Sequence, residues 1–302
     1  MLLNRQILTG VIFALIASVG FSAKSILIKL AYLDHVDAIT LLALRMLFSV
    51  PFFLAVAVWV NRCHAVSLKR QDWVAVLVLG LLGYYLSSYL DFLGLEHISA
   101  GLERLILFLY PTMTVLLSAF IYKRSIGRNV MIAMLLSYAG ILFVFLHDFG
   151  TNKGNIVLGA SFVFTSALTY STYLVGAGHA IARIGATKFT AYAMVVASAA
   201  SLLQFGVTHP VSALVQPIKV YELSFAMAIF STVLPIFLLS YAIRRIGSAS
   251  SSLIGSAGPV ATIALAYVFL NEAVSLLQML GTSLVLAGVV TVSLNTSKLT
   301  SK

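Results

Sequence analysis

The run ISAGLERLILFLYP, from Ile98 to Pro111, is answered 148 residues later by IGSASSSLIGSAGP, from Ile246 to Pro259. In the same register Leu117 falls on Leu265, Met131 on Met279, and the pair Ala139-Gly140 on Ala287-Gly288. A shared proline and a shared Ala-Gly pair at one fixed offset mark two copies of one unit. Working outward, apolar runs recur ten times, each near the roughly 20 residues that cross a hydrocarbon core about 30 Å thick. They cover approximately 7–31, 38–60, 73–95, 99–121, 127–146, 154–178, 187–208, 220–243, 248–270 and 275–295. Five spans per copy is an odd number, so the second copy must thread the bilayer upside down. The expected fold is all-α and membrane-integral: ten transmembrane helices as two inverted five-helix repeats around a central cavity. Residues 1–147 form the first repeat and 152–302 the second, with DFGTNKGN (Asp148–Asn155) as the linker. In folds of this kind a small-molecule site lies at the repeat interface.

Composition excludes a soluble protein. Of 302 residues 61% are hydrophobic and 9% charged, where soluble domains carry about 25% charge. Residues 1–23 have the outline of a signal peptide, with Arg5, an apolar run and small residues at Ser22 and Ala23. The apolar pattern continues through Ala31, however, and reads as helix 1. The formal charge of +10 is not a nucleic-acid footprint, because the cations sit in loops between apolar runs. One set of loops and termini holds Arg5, Arg62, Lys69, Arg70, Lys123, Arg124, Arg128, Arg183, Lys188, Arg244, Arg245, Lys298 and Lys302. The opposite loops hold Lys153 and Lys219 beside Asp34, Asp37, Glu96, Asp148, Glu222 and Glu272. The bias places both termini in the cytoplasm, with a bacterial inner membrane as the expected location. Cys63 is the only cysteine, so no disulfide forms within the chain, and no P-loop, metal site or cofactor is expected. The expected partners are the lipid bilayer and a small-molecule substrate, with no nucleic acid. Ala133 and Gly140 mirror Gly281 and Gly288 as a small-residue stripe, which serves packing either within the chain or in a homodimer.

Ionisable side chains inside a bilayer cost several kcal/mol unless paired or wet, which makes each a functional candidate. At 1.5 Å per residue, Lys24 and Arg45 lie roughly 10 Å deep and Asp91, Glu103 and Arg104 about 7 Å, all toward the same side. Lys29 is shallower and snorkels to the interface. The cluster has more cations than carboxylates, and a net-positive vestibule concentrates anions. Arg45 with Asp91, or Glu103 with Arg104, are equally readable as buried structural pairs. Lys24 points about 120° away from the face shared by Ser18, Ser22, Ser25 and Lys29, so only one of those faces is expected to meet a cavity. Asp91 and Glu103 are the proton-coupling candidates, because a carboxyl in a partly dry site holds its proton more readily than one in water. Tyr84, Ser88 and Asp91 share a face of helix 3, and Tyr170 and Tyr173 lie in the hydroxyl-rich TSALTYSTY of helix 6. Aromatic walls with few hydroxyls suit a small amphipathic ligand. The candidate substrate-binding residues are therefore Lys24, Arg45, Tyr84, Ser88, Asp91, Arg104, Tyr170 and Tyr173.

The stretch from Tyr241 to Val290 runs through a Tyr-Ala pair, small residues, mid-helix Pro259, an Asn271-Glu272 turn and a closing Ala287-Gly288. It resembles the EamA-type branch of the drug/metabolite transporter superfamily, and the resemblance extends over nearly the whole chain. Lys29 and Arg45 sit where many members carry a basic residue. The resemblance implies a 5+5 inverted fold, a cavity open alternately to each side, and movement of small metabolites, often outward. In the first half Arg124 stands where the pattern has a turn glutamate, a departure that suits a cytoplasmic loop. The resulting expectation is a secondary transporter for amino acids or other carboxylate-bearing metabolites, acting as an exporter. A channel or facilitator is the alternative, and would need one continuous polar face. An integral-membrane enzyme would need a catalytic constellation, whereas the six histidines are scattered in or beside loops.

Overall fold

The computed structural model describes residues 2–63, 68–121, 123, 128–151, 155–255, 257–272 and 274–300. Arg124, Lys153, Ser256 and Lys302 lie outside the described residues. Among the described residues the chain is helical throughout, without strands. The first half runs through α1 (Leu2–Tyr32), α2 (Ala38–Cys63), α3 (Arg70–Gly80), α4 (Ser87–Leu95), α5 (Ala100–Leu107), α6 (Tyr110–Ile121) and α7 (Arg128–Thr151). The second half contains α8 (Ile156–Ile184), α9 (Ala186–Thr208), α10 (Ile218–Ala228), α11 (Leu234–Gly255), α12 (Ala257–Leu270) and α13 (Leu276–Thr300).

Among the described residues seven stretches are long and apolar enough to cross a bilayer: Ile7–Tyr32, Ala38–Arg62, Arg70–Leu95, Ala100–Ile121, Ile156–Gly178, Ala186–Thr208 and Ile218–Leu239. Three shorter apolar helices, Met134–Leu146, Ala257–Leu270 and Leu276–Gly288, fall where the remaining three spans are expected. The turn expected near Arg244–Gly247 is helical instead, since α11 runs on to Gly255. Arg244 and Arg245 mark a polar boundary, but arginine is a good helix former and does not end a helix.

The repeat is visible in backbone detail. α3 and α4 form one rod interrupted by a π-helical turn at Leu81–Leu86, and α10 and α11 by one at Ile229–Val233. The two turns begin 148 residues apart, the offset that joins Pro111 to Pro259. In the second turn Pro235 removes a backbone donor, and the Thr232 hydroxyl donates to the Met227 carbonyl, 3.0 Å away. The first turn has no proline. Instead Gly83 allows the Tyr173 ring to lie against the backbone.

Packing crosses between the halves. α1 lies on α11 and α12, α2 on α9, α4 on α8, and α7 on α13. Polar contacts tie off both ends of the bundle: Arg183 pairs with Asp72 at one, and at the other Lys219 pairs with Asp34 (3.1 Å) and the His209 ring lies 3.5 Å from the Asp37 carboxyl. The small-residue stripe is used inside the chain, because a Cβ at Gly140 would strike the Gly281 carbonyl oxygen. A Cβ at Gly178 meets nothing within 4 Å. Gly140→Ala should therefore lower the thermal midpoint in detergent, at a cost of about 1–3 kcal/mol from overpacking. Gly178→Ala should raise it by up to about 1 kcal/mol through helix propensity. Equal responses would contradict the close α7–α13 approach.

Candidate functional site

A cavity of about 450 Å³ opens between the halves, and all eight candidate substrate-binding residues line it. It runs from Ile181 and Ala186, near the α8–α9 turn, to a floor made by Lys24, Arg45 and Asp91. Two residues along α1 from Lys24, Ile26 packs with Ala100, Ala266, Leu30, Leu265 and Leu270 in an apolar cluster.

Lys24 Nζ donates to Asp91 Oδ2 at 2.5 Å, with the Asp91 side chain 1% exposed and Lys24 16%. The pair ties α1 to α4. Asp91 is thus bound to Lys24, and of the two readings of Arg45 the structural pair with Asp91 is not the contact formed. The Arg45 guanidinium reaches Ser88 Oγ at 3.4 Å and lies over the Phe92 ring, 5.2 Å from the centroid. Arg104 borders the cavity where α5 ends, and Gly258 of α12 makes room for it: a Cβ there would come within 2.8 Å of the guanidinium. The Nε atoms of Arg45 and Arg104 are buried and receive no acceptor. A buried donor left in that state costs roughly 1–3 kcal/mol, and more when charged.

Glu103 lies behind the cavity wall rather than on it. Its side chain is fully buried, and Ser25 Oγ donates to its Oε2 at 2.6 Å. The expected choice between the Lys24 face and the serine face does not arise. Ser18 and Lys24 both line the cavity, while Ser22 donates to the Gly258 carbonyl at 2.9 Å.

The opposite wall is tyrosine. The Tyr84 and Tyr173 hydroxyls are 2.8 Å apart, Tyr173 stacks on Tyr170 at 5.6 Å, and Tyr170 meets Tyr110 edge-on at 5.3 Å. Ser87 and Ser166 join their hydroxyls at 3.0 Å beneath them. The candidate substrate-binding residues did not include Ser18, whose helix face the sequence singled out, nor Tyr110, Ser166, Thr190, Ser231 and Thr232, all of which also line the cavity. The 148-residue offset would have found Thr232 as the counterpart of Tyr84, and it also relates Ser231 to Gly83 and Ser18 to Ser166.

A model of the EamA-like transporter family matches residues 8–146 and again residues 157–294. The chain belongs to the EamA-like transporter family. Its relatives include the uncharacterised transporter YcbK of Bacillus subtilis (strain 168), 33% identical over 285 residues, or 92% of this chain and 90% of that one. The uncharacterised transporter YyaM of the same organism is 28% identical over 231 residues, 75% of each chain. A solved crystal structure 22% identical in sequence superposes with a TM-score of 0.66 over 96% of this chain and 98% of its own, a likeness of fold. Family and relatives describe an integral membrane transporter and point away from an enzyme.

The ion pair at the floor gives a direct prediction. Lys24→Ala strands the Asp91 carboxylate and should lower stability by up to about 3–5 kcal/mol. Adding Asp91→Asn should restore most of the loss in the double-mutant cycle, read by denaturant unfolding. A coupling energy below about 0.5 kcal/mol would show that the two residues act independently.

Proposed function

We propose that the chain is a secondary transporter that moves a small carboxylate-bearing metabolite, amino acids included, by alternating access and in the outward direction. The observation that carries the reading is the pair of buried guanidiniums, Arg45 and Arg104, bordering one cavity with unpaired Nε donors. Guanidinium presents its donors in a planar fork that fits a carboxylate, and the tyrosine wall supplies apolar faces for the rest of the molecule. Bound carboxylate would offset the desolvation of both cations.

Access supports a carrier over a channel. We read the lining as open toward the α8–α9 turn, which Ile181 and Ala186 border, and as closed beyond Asp91 by the apolar cluster of Ile26, Ala100 and Ala266. With ten spans and cytoplasmic termini, as the charge bias indicates, the open end faces the cytoplasm of a bacterial cell. Cargo loading from the cytoplasm is the arrangement an exporter needs.

Two measurements test this reading. A reporter fused after Lys302 should be active only as a cytoplasmic fusion, and a periplasmic signal would reverse the proposed direction. Thermal-shift screening of the purified protein should give hits among carboxylates, since ligand at a hundredfold its Kd stabilises by about 2.7 kcal/mol. Arg104→Gln should lose most of that shift. Hits confined to amines would contradict the anion reading.

A further inference from the structure

The charged groups that border the cavity are nearly all of one sign. Among the described residues lining it, Lys24, Arg45 and Arg104 are cationic and Asp91 is the one carboxylate. Asp91 is also the most withdrawn of the four, 1% exposed against 4% for Arg45, 9% for Arg104 and 16% for the Lys24 side chain. Its Oδ2 accepts from Lys24 Nζ at 2.5 Å and its Oδ1 is buried. Glu103 stands outside the lining, with the Ser25 hydroxyl on its carboxyl. The described lining therefore has no carboxylate to offer a ligand.

Other places for a positive group are taken as well. Carbonyls beside the two π-helical turns already have protein donors: the Ser166 hydroxyl donates to the Ser87 carbonyl at 2.7 Å, and the Thr232 hydroxyl to that of Met227 at 3.0 Å. Ser18 does the same for the Gly255 carbonyl at the end of α11, 3.1 Å away. Nor do the rings surround a point, as an aromatic cage for a cation does. Tyr173 stacks on both Tyr170 and Phe189, at 5.6 and 6.2 Å, and Tyr110 meets Tyr170 edge-on, so the rings pack on one another as a wall.

We infer that the site selects carboxylates that carry no free ammonium, such as keto, hydroxy, alkanoic or N-acylated acids, over the amino acid of the same skeleton. The inference narrows the carboxylate reading above and rests on it. An ammonium has three donors and no acceptor, and a charge left in a dry site without a partner is costly. The surplus of cations around the cavity repels it further. A free amino acid thus brings a carboxylate that the guanidiniums can take and an ammonium that nothing receives. Discrimination of this kind comes from an unpaired charge on the wrong ligand, not from an added contact to the right one. Leu239 marks where a partner is missing: it lines the cavity 148 residues after Asp91, at the equivalent position of the second copy.

Isothermal titration of the purified protein with matched pairs tests the inference: 3-phenylpropionate with phenylalanine, 4-methylpentanoate with leucine, and glutarate with glutamate. In each pair that binds, the acid should bind more tightly than the amino acid by about tenfold or more. An amino acid that binds as tightly as its matched acid overturns the inference and leaves the carboxylate reading standing. Silence from every acid and every amino acid overturns the carboxylate reading, and the inference with it. Leu239→Asp supplies a carboxylate to the lining and should bring the ratio toward one by strengthening the amino acid. An unchanged ratio in a folded variant overturns the inference; if the variant does not fold, the ratios in the unaltered protein decide.

Discussion

Asp91 is 1% exposed in the middle of a helical rod, and its charge has to be answered within the bundle. Lys24 answers it at 2.5 Å, and much of the architecture follows from that one contact. α1 packs on α11 and α12 of the second half, whereas α4 packs on α8. The ion pair therefore joins two inter-repeat contacts beside the cavity. The pair also fixes which cations remain for a ligand. Once Lys24 is committed to Asp91, Arg45 and Arg104 are the ones with buried donors to spare. Glu103 lies behind them, fully buried, with Ser25 Oγ of α1 donating to its carboxyl at 2.6 Å.

The two halves share a backbone and divide the chemistry. Cavity positions related by the 148-residue offset include Ser18 and Ser166, Tyr84 and Thr232, Ser88 and Ile236, and Asp91 and Leu239. Each copy contributes a π-helical turn at the same place, so the cavity is bordered by two matched irregularities. π-turns leave backbone groups outside the regular ladder, and at membrane depth these are tolerated where they line a cavity. The charges, by contrast, belong to the first copy alone: where it has Asp91 and Arg104 the second has Leu239 and Ser252. A symmetric frame around an asymmetric charge is what the proposed carrier needs to keep one binding chemistry on either side.

Much of this was legible in the sequence, and unevenly so. The eight cavity residues could be named because an ionisable group in an apolar run is costly enough to demand a reason, and because Tyr84, Ser88 and Asp91 share a helix face. The neutral lining was harder. Ser18, Ser231 and Thr232 look like the small residues that let helices pack closely, and composition does not separate packing from lining. The π-turns were invisible, since Leu81–Leu86 carries no proline and its pattern fits an ordinary helix. The turn misplaced at Arg244 has a related cause: charge marks where a helix meets water, while prolines and capping residues mark where it ends. Ser99 shows the second signal working, its hydroxyl accepting from the Leu102 amide at 3.1 Å to start α5.

The central claim is that the cavity between the repeats is a carrier's site, reached from one side at a time. Single cysteines at Ser18 and Ser231, in a chain with Cys63 replaced by serine, can be labelled by an impermeant maleimide from either face of oriented vesicles. The account predicts strong labelling from the cytoplasmic face, shifting toward the opposite face when a transported carboxylate is supplied there. Labelling from both faces that no carboxylate alters would describe an open pore and contradict the account.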